Sequence, residues 1–134
     1  MNAQVKWLED STFVGESASG HSIIMSGNTD KAPSPMEVVL LGLGACSSID
    51  VVSMLQKGRA DIRSCVVKLE AERAESIPKV FTKIKVIFVV TGKGLKSNAV
   101  ERAVSLSADK YCSVSLMLGK SVDIAHGYEI IEVE

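Results

Sequence analysis

The chain has 134 residues, 46% of them hydrophobic and 23% charged, a balance that suits a single globular domain over 1–134 rather than a disordered segment. Its net charge is −1 with no extended Lys/Arg cluster, so the electrostatic footprint of a nucleic-acid binder is missing. The opening MNAQVKWLED has no apolar leader core, and the longest apolar run, 38–46, is far short of the roughly 20 residues that span a bilayer. The expectation is therefore a cytoplasmic protein with no membrane partner.

In chain order, VKWL, TFVG and HSIIM read as short strands separated by the turn-forming clusters ED, ESASG and SGNTD, a meander within the first 30 residues. KAPSP comes next, and proline just ahead of an apolar periodic run signals a helix start. The pattern is helical over 35–56, with Lys57 in a basic last turn and Gly58 as the stop. Between Val38 and Ala45 this helix is apolar on nearly every side, as in a helix buried in a core or an interface. Gly42 and Gly44 fit a place where a neighbouring backbone or ligand comes close.

Over 63–73 the residues alternate, with Cys65, Val67, Leu69 and Ala71 on one face, and 80–91 reads as a second long strand. The two look like an antiparallel hairpin with one buried side. Ser97 or Asn98 is the expected cap of a second helix, with Glu101 completing a capping-box variant. YCSVSLML reads as a further turn or two of helix ending at Gly119, and the last 14 residues close as a strand. The order is α+β, with antiparallel sheet.

Three cysteines stand at 46, 65 and 112. Their spacing matches no zinc pattern, the two histidines are far from them in sequence, and no cofactor or metal is expected. In the cytoplasm they stay mostly reduced, so a pairing among them would be redox chemistry rather than a staple. Cys65 lies on the apolar side of a strand, the setting of an inert thiol. Cys112 opens a helical segment, where the helix N-terminus favours a thiolate. Cys46 fits either core packing or a reactive thiol beside space left by two glycines. Two thiols near helix turns fit a pair in which one is oxidised and the other resolves it, but spacing alone does not establish that.

The run PSPMEVVLLGLGACSSIDVVSML resembles the central-helix cysteine motif of the OsmC/Ohr family, and YCSVSLML resembles that family's second-cysteine motif. With the order of elements, the likeness covers nearly the whole chain and is closest to the YhfA-like branch of OsmC-like proteins. The resemblance implies an OsmC-like fold, with antiparallel sheets wrapped around a long central helix in an intertwined homodimer. It implies reduction of organic hydroperoxides in oxidative-stress defence, with Cys46 as peroxidatic thiolate and Cys112 as resolving thiol. An external dithiol reductant would recycle the disulfide. Met36, Leu40, Leu41 and Leu43 would line an apolar approach to the thiol.

Two departures bear on the chemistry. The family's peroxidases carry an arginine in the amino-terminal strand region, whereas Met1 to Pro35 contains only Lys6, His21 and Lys31 as basic residues. They also carry a glutamate directly after the proline of the helix motif. Here Met36 holds that place and the candidate acid is Glu37, turned about 100° around the helix. His21 is a candidate substitute for the missing cation. Whether the protein is an enzyme, a thiol-dependent peroxidase, thus stays open against an alternative: a non-catalytic OsmC-like module that binds a small apolar ligand or senses redox state.

Overall fold

Three short strands come first: β1 (Ala3–Glu9), β2 (Thr12–Ser17) and β3 (Ser22–Ser26), paired antiparallel in the order β1-β2-β3. Their register sets Val5 opposite Gly15, Trp7 opposite Phe13, Phe13 opposite Met25 and Gly15 opposite Ile23. Residues opposite one another share a face, so one side of this sheet is mostly apolar, with Ser17 its polar edge. It is also poorly covered: Val5, Trp7 and Ile23 remain 63%, 64% and 53% exposed. The computed structural model describes residues 1–134 and divides into two units, Met1–Leu41 and Gly42–Glu134.

The central helix α1 spans Pro35–Lys57. Proline in its first turn loses no hydrogen bond, because the first amides of a helix have no intrahelical partner. Ser34 and Glu37 close the start reciprocally: Glu37 N–H donates to Ser34 Oγ at 3.2 Å, and Ser34 N–H donates to Glu37 Oε1 at 2.9 Å. This is a capping box, spelled by S-P-M-E. The helix ends where Gly58 N–H reaches back to Met54 O at 3.1 Å and Arg59 turns to φ 61°.

Only one stripe of α1 is covered. Leu43, Gly44, Ser47, Val51 and Leu55 are buried at helical spacing, while Leu41 and Ile49 are 60% and 69% exposed. By length and composition α1 is apolar enough to cross a bilayer, and less than a third of its most apolar stretch is buried. The run 38–46 therefore understated it, since serines and a single aspartate do not break the apolar average.

The second sheet contains β4 (Asp61–Arg73), β5 (Phe81–Lys93) and β6 (Asp123–Glu132), in the order β4-β5-β6. β4 and β5 form the expected antiparallel hairpin, with Cys65 opposite Val90 and Leu69 opposite Val86. β6 corrects the reading of an all-antiparallel fold, because it runs parallel to β5. The reason is the connection: α2 (Ser97–Leu106), a π turn (Ser107–Tyr111) and α3 (Ser113–Leu118) lie between them, long enough for a crossover. Ile84, Val86, Phe88 and Val90 of β5 are 0–2% exposed and form the floor of the core with Leu43, Val51, Val100 and Val104. A methyl at Gly44 would stand 2.9 Å from Leu69 Cδ1, which explains a glycine where α1 crosses β4. At Gly42 there is nothing within 4 Å, so close approach does not explain that glycine within one chain.

The expected cap of α2 is also corrected. The cap position is Lys96 and no side chain caps the helix, because the Ser97 hydroxyl pairs instead with Tyr128 OH at 3.1 Å. A further glycine is fixed by space: a Cβ on Gly92 would collide with the Asp61 carbonyl oxygen of the neighbouring strand. Backbone cannot retreat as a side-chain tip can, so Gly92→Ala is expected to destabilise the fold by about 1–3 kcal/mol. Calorimetry at matched protein concentration checks this, and an unchanged or raised Tm contradicts it.

Candidate functional site

Cys112 owes its position to an irregularity. Residues 107–111 form a π turn, and Cys112 N–H donates to Ser107 O, five residues back, at 2.8 Å. Such turns carry one more residue than an α-turn and often mark functional positions. At φ −75° and ψ 103° Cys112 leaves helical geometry and becomes the N-cap of α3. Its sulfur takes the role usually given to a serine or aspartate oxygen, accepting from Ser115 N–H at 3.3 Å.

The buried face of α1 meets this turn. The Ser47 hydroxyl donates to Cys112 Sγ at 3.4 Å. The Ser107 hydroxyl donates to Asp50 Oδ2 at 3.0 Å and approaches the Ser47 carbonyl oxygen at 3.5 Å. Ser47, Ser107 and Cys112 are all fully buried, and no buried polar side-chain atom lacks a partner. Cys46 is half-buried next to Ser47 in the chain, and its thiol is among the groups that raise the Cys112 pKa. Burial pushes the Cys112 thiol pKa up. The Ser47 and Ser115 donors pull it down, and the neighbouring Cys46 raises it again.

Cys46 and Cys112, 66 positions apart in the chain, share one neighbourhood through Ser47, and both are free thiols. Cys65 is not among the groups acting on them. It sits half-buried on β4 opposite Val90, and burial alone raises its pKa. Glu37 lies about two and a half turns before Cys46 on α1, its carboxylate held in the capping box. His21 is exposed and pairs with Ser19 at 3.1 Å. Leu43, expected to line an approach to the thiol, is instead 0% exposed in the core, because it falls on the covered stripe of α1.

Several residues of this neighbourhood are not marked by sequence pattern alone. Ser47 is adjacent to Cys46 in C-S-S, and Ser115 sits at the third position after Cys112, where an N-cap finds its amide. Those two spacings were the available signals; Asp50 and Ser107 carry none. His126 of β6 stands 3.5 Å from the Ser115 hydroxyl beside a cleft of about 430 Å³. Burial lowers its pKa, and Asp109 partly offsets that. No three His, Cys, Asp or Glu side chains converge to hold a metal ion. A separate apolar cleft of about 310 Å³, bordered by Met54, Ala99 and Leu106, contains neither thiol.

Comparison with known proteins agrees with this framework. The family model described as OsmC-like protein matches residues 28–127. The chain is 62% identical over 132 residues to Protein YhfA of Escherichia coli K12, covering 98% of each. Among solved structures, a hypothetical protein from Aquifex aeolicus VF5 is 29% identical, with a TM-score of 0.90 over 99% of this chain and 97% of that one. The organic hydroperoxide resistance protein OhrB of Bacillus subtilis shares the fold at 17% identity, with a TM-score of 0.63 over 96% and 98% of the two chains. Its two sheets, its long central helix and a family match over three quarters of its length establish that the chain belongs to the OsmC-like family.

Proposed function

We propose that the protein reduces organic hydroperoxides through a Cys46/Cys112 dithiol–disulfide cycle, within one OsmC-like domain over 1–134. The observation that carries this reading is the hydrogen bond to the Cys112 sulfur from Ser47, the residue after Cys46, with Cys65 left out. Cys46 thiolate attacks the terminal peroxide oxygen, the O–O bond breaks, and the alcohol leaves with a proton while Cys46 becomes a sulfenic acid. Cys112 then displaces water to form the disulfide, which an external dithiol reduces. The fold shared with hydroperoxide resistance proteins supports a redox or stress role. Glu37 enters as the residue that fixes the start of the helix carrying Cys46, rather than as a base at sulfur.

We further propose that two copies form an intertwined homodimer in the cytoplasm, α1 and the β1–β3 face finding their cover in the partner. The exposed Leu41, Ile49, Val5 and Trp7 support it.

One observation favours a sensing or ligand-binding module instead. The groups that modulate the Cys112 thiol are hydroxyl, amide and thiol, with no cation among them. Stopped-flow consumption of cumene hydroperoxide with excess dithiol present separates the two readings, the module sustaining no turnover. A pH series adds a second check. Because burial holds the Cys112 thiol up, closure of the disulfide is expected to accelerate about tenfold per pH unit through neutrality, following the thiolate fraction. Quenched-flow alkylation measures it, and a flat profile contradicts it.

A further inference from the structure

We propose that Ser47 is a positioning residue for disulfide closure: with Ser115 N–H, its hydroxyl holds the Cys112 sulfur as an acceptor, favouring the thiolate that attacks Cys46. The inference rests on the dithiol reading of the same site.

The geometry separates Ser47 from its neighbour. A serine within a helix commonly donates to the carbonyl four residues back, and Ser48 does so, to Gly44 O at 2.7 Å. Ser47 directs its proton across to Cys112 Sγ at 3.4 Å instead. The Ser115 amide can only donate, and it points at the same sulfur from 3.3 Å. Two donors on one fully buried sulfur is the coordination of an anion, and both come from fixed elements, α1 and the first turn of α3. Ser107 braces the arrangement by bridging toward Asp50 and the Ser47 carbonyl.

The step balances without an added reagent. Cys112 thiolate attacks the Cys46 sulfenic sulfur, the S–S bond forms, and the S–O bond breaks. The departing hydroxide takes a proton and leaves as water. The peroxide has already received both electrons.

The titratable and charged groups around Cys112 are Cys46 and Asp50 from α1, Asp109 from the π turn, and His126 from β6 through Ser115. Over pH 7–10 His126, its pKa lowered by burial, stays neutral.

The test has two arms. In a Cys46→Ser/Cys65→Ser background only Cys112 titrates as a thiol, and the NMR shift of its carbon-13-labelled Cβ is followed against pH with and without Ser47→Ala. Loss of a hydrogen bond to a charged group is expected to move that titration up by about one pH unit. In the otherwise native chain, Ser47→Ala is expected to slow peroxide-independent closure about tenfold. Ser47→Thr, which keeps the hydroxyl, should restore both readouts, and circular dichroism shows whether each variant is folded. An unmoved titration in folded Ser47→Ala protein overturns the inference. A titration that moves in protein inert to peroxide supports the role of Ser47 at the sulfur while overturning the peroxidase reading, so the two failures are distinct.

Discussion

Reduced protein treated with near-stoichiometric cumene hydroperoxide is expected to form a disulfide between Cys46 and Cys112 and to leave Cys65 as a thiol. Cys46 is next in the chain to the residue whose hydroxyl touches the Cys112 sulfur, whereas Cys65 belongs to the β4–β5 ladder, where reaching another sulfur would require breaking strand pairing. Cys46 is the expected point of attack because it is half-buried while Cys112 has no exposed surface. Cys46→Ser should therefore lose at least about a hundredfold in peroxide consumption, as for any reaction deprived of its nucleophile. Cys112→Ser should keep the first step and stop at the sulfenic acid, trappable by dimedone and open to over-oxidation. Peptide mass spectrometry reads all of these. If Cys65 reacts and Cys46 does not, the dithiol cycle is wrong and the binding module takes its place.

A charge placed on the open side of α1 should be nearly as damaging. Ile49 is 69% exposed on a helix whose other stripe packs against the core, and Leu41 is 60% exposed. Covering such a side chain is worth about 1.5–3 kcal/mol, and in a two-fold dimer each substitution acts twice. Leu41→Asp or Ile49→Asp adds the cost of burying a carboxylate, several kcal/mol more. The wild type is expected to sediment as a dimer at micromolar concentration, and either variant as monomer or unfolded chain. A wild type that sediments as a folded monomer, or an Ile49→Asp variant that remains dimeric, contradicts the intertwined assembly.

The parts of the fold written in local periodicity were legible. Alternation of Cys65, Val67, Leu69 and Ala71 marked the half-buried face of β4, and the proline before Met36 with Gly58 after Lys57 bounded α1. What failed was non-local. Residues 123–132 read as a strand, but nothing in their pattern says which neighbour they join or in which direction. The capping hydroxyl expected at Ser97 was claimed by Tyr128, 31 positions away. The thiol site divides the same way. Its cysteines were singled out by motif, yet Ser47 and Cys112 lie 65 positions apart and only the packing of α1 on the π turn brings them together.

The turn before Cys112 ties chemistry to chain length. An α-helix that accepts one surplus residue bulges to a π turn, and every residue beyond the bulge is displaced by about 100° around the axis. Deleting any one residue from Ser107–Tyr111 would let regular helix re-form, carrying the sulfur out of line with both its donors and Cys46. Side chains at this bulge can vary on the exposed Lys110 and Tyr111 without touching the thiol. Its residue count cannot, so this segment is tolerant of composition and intolerant of length.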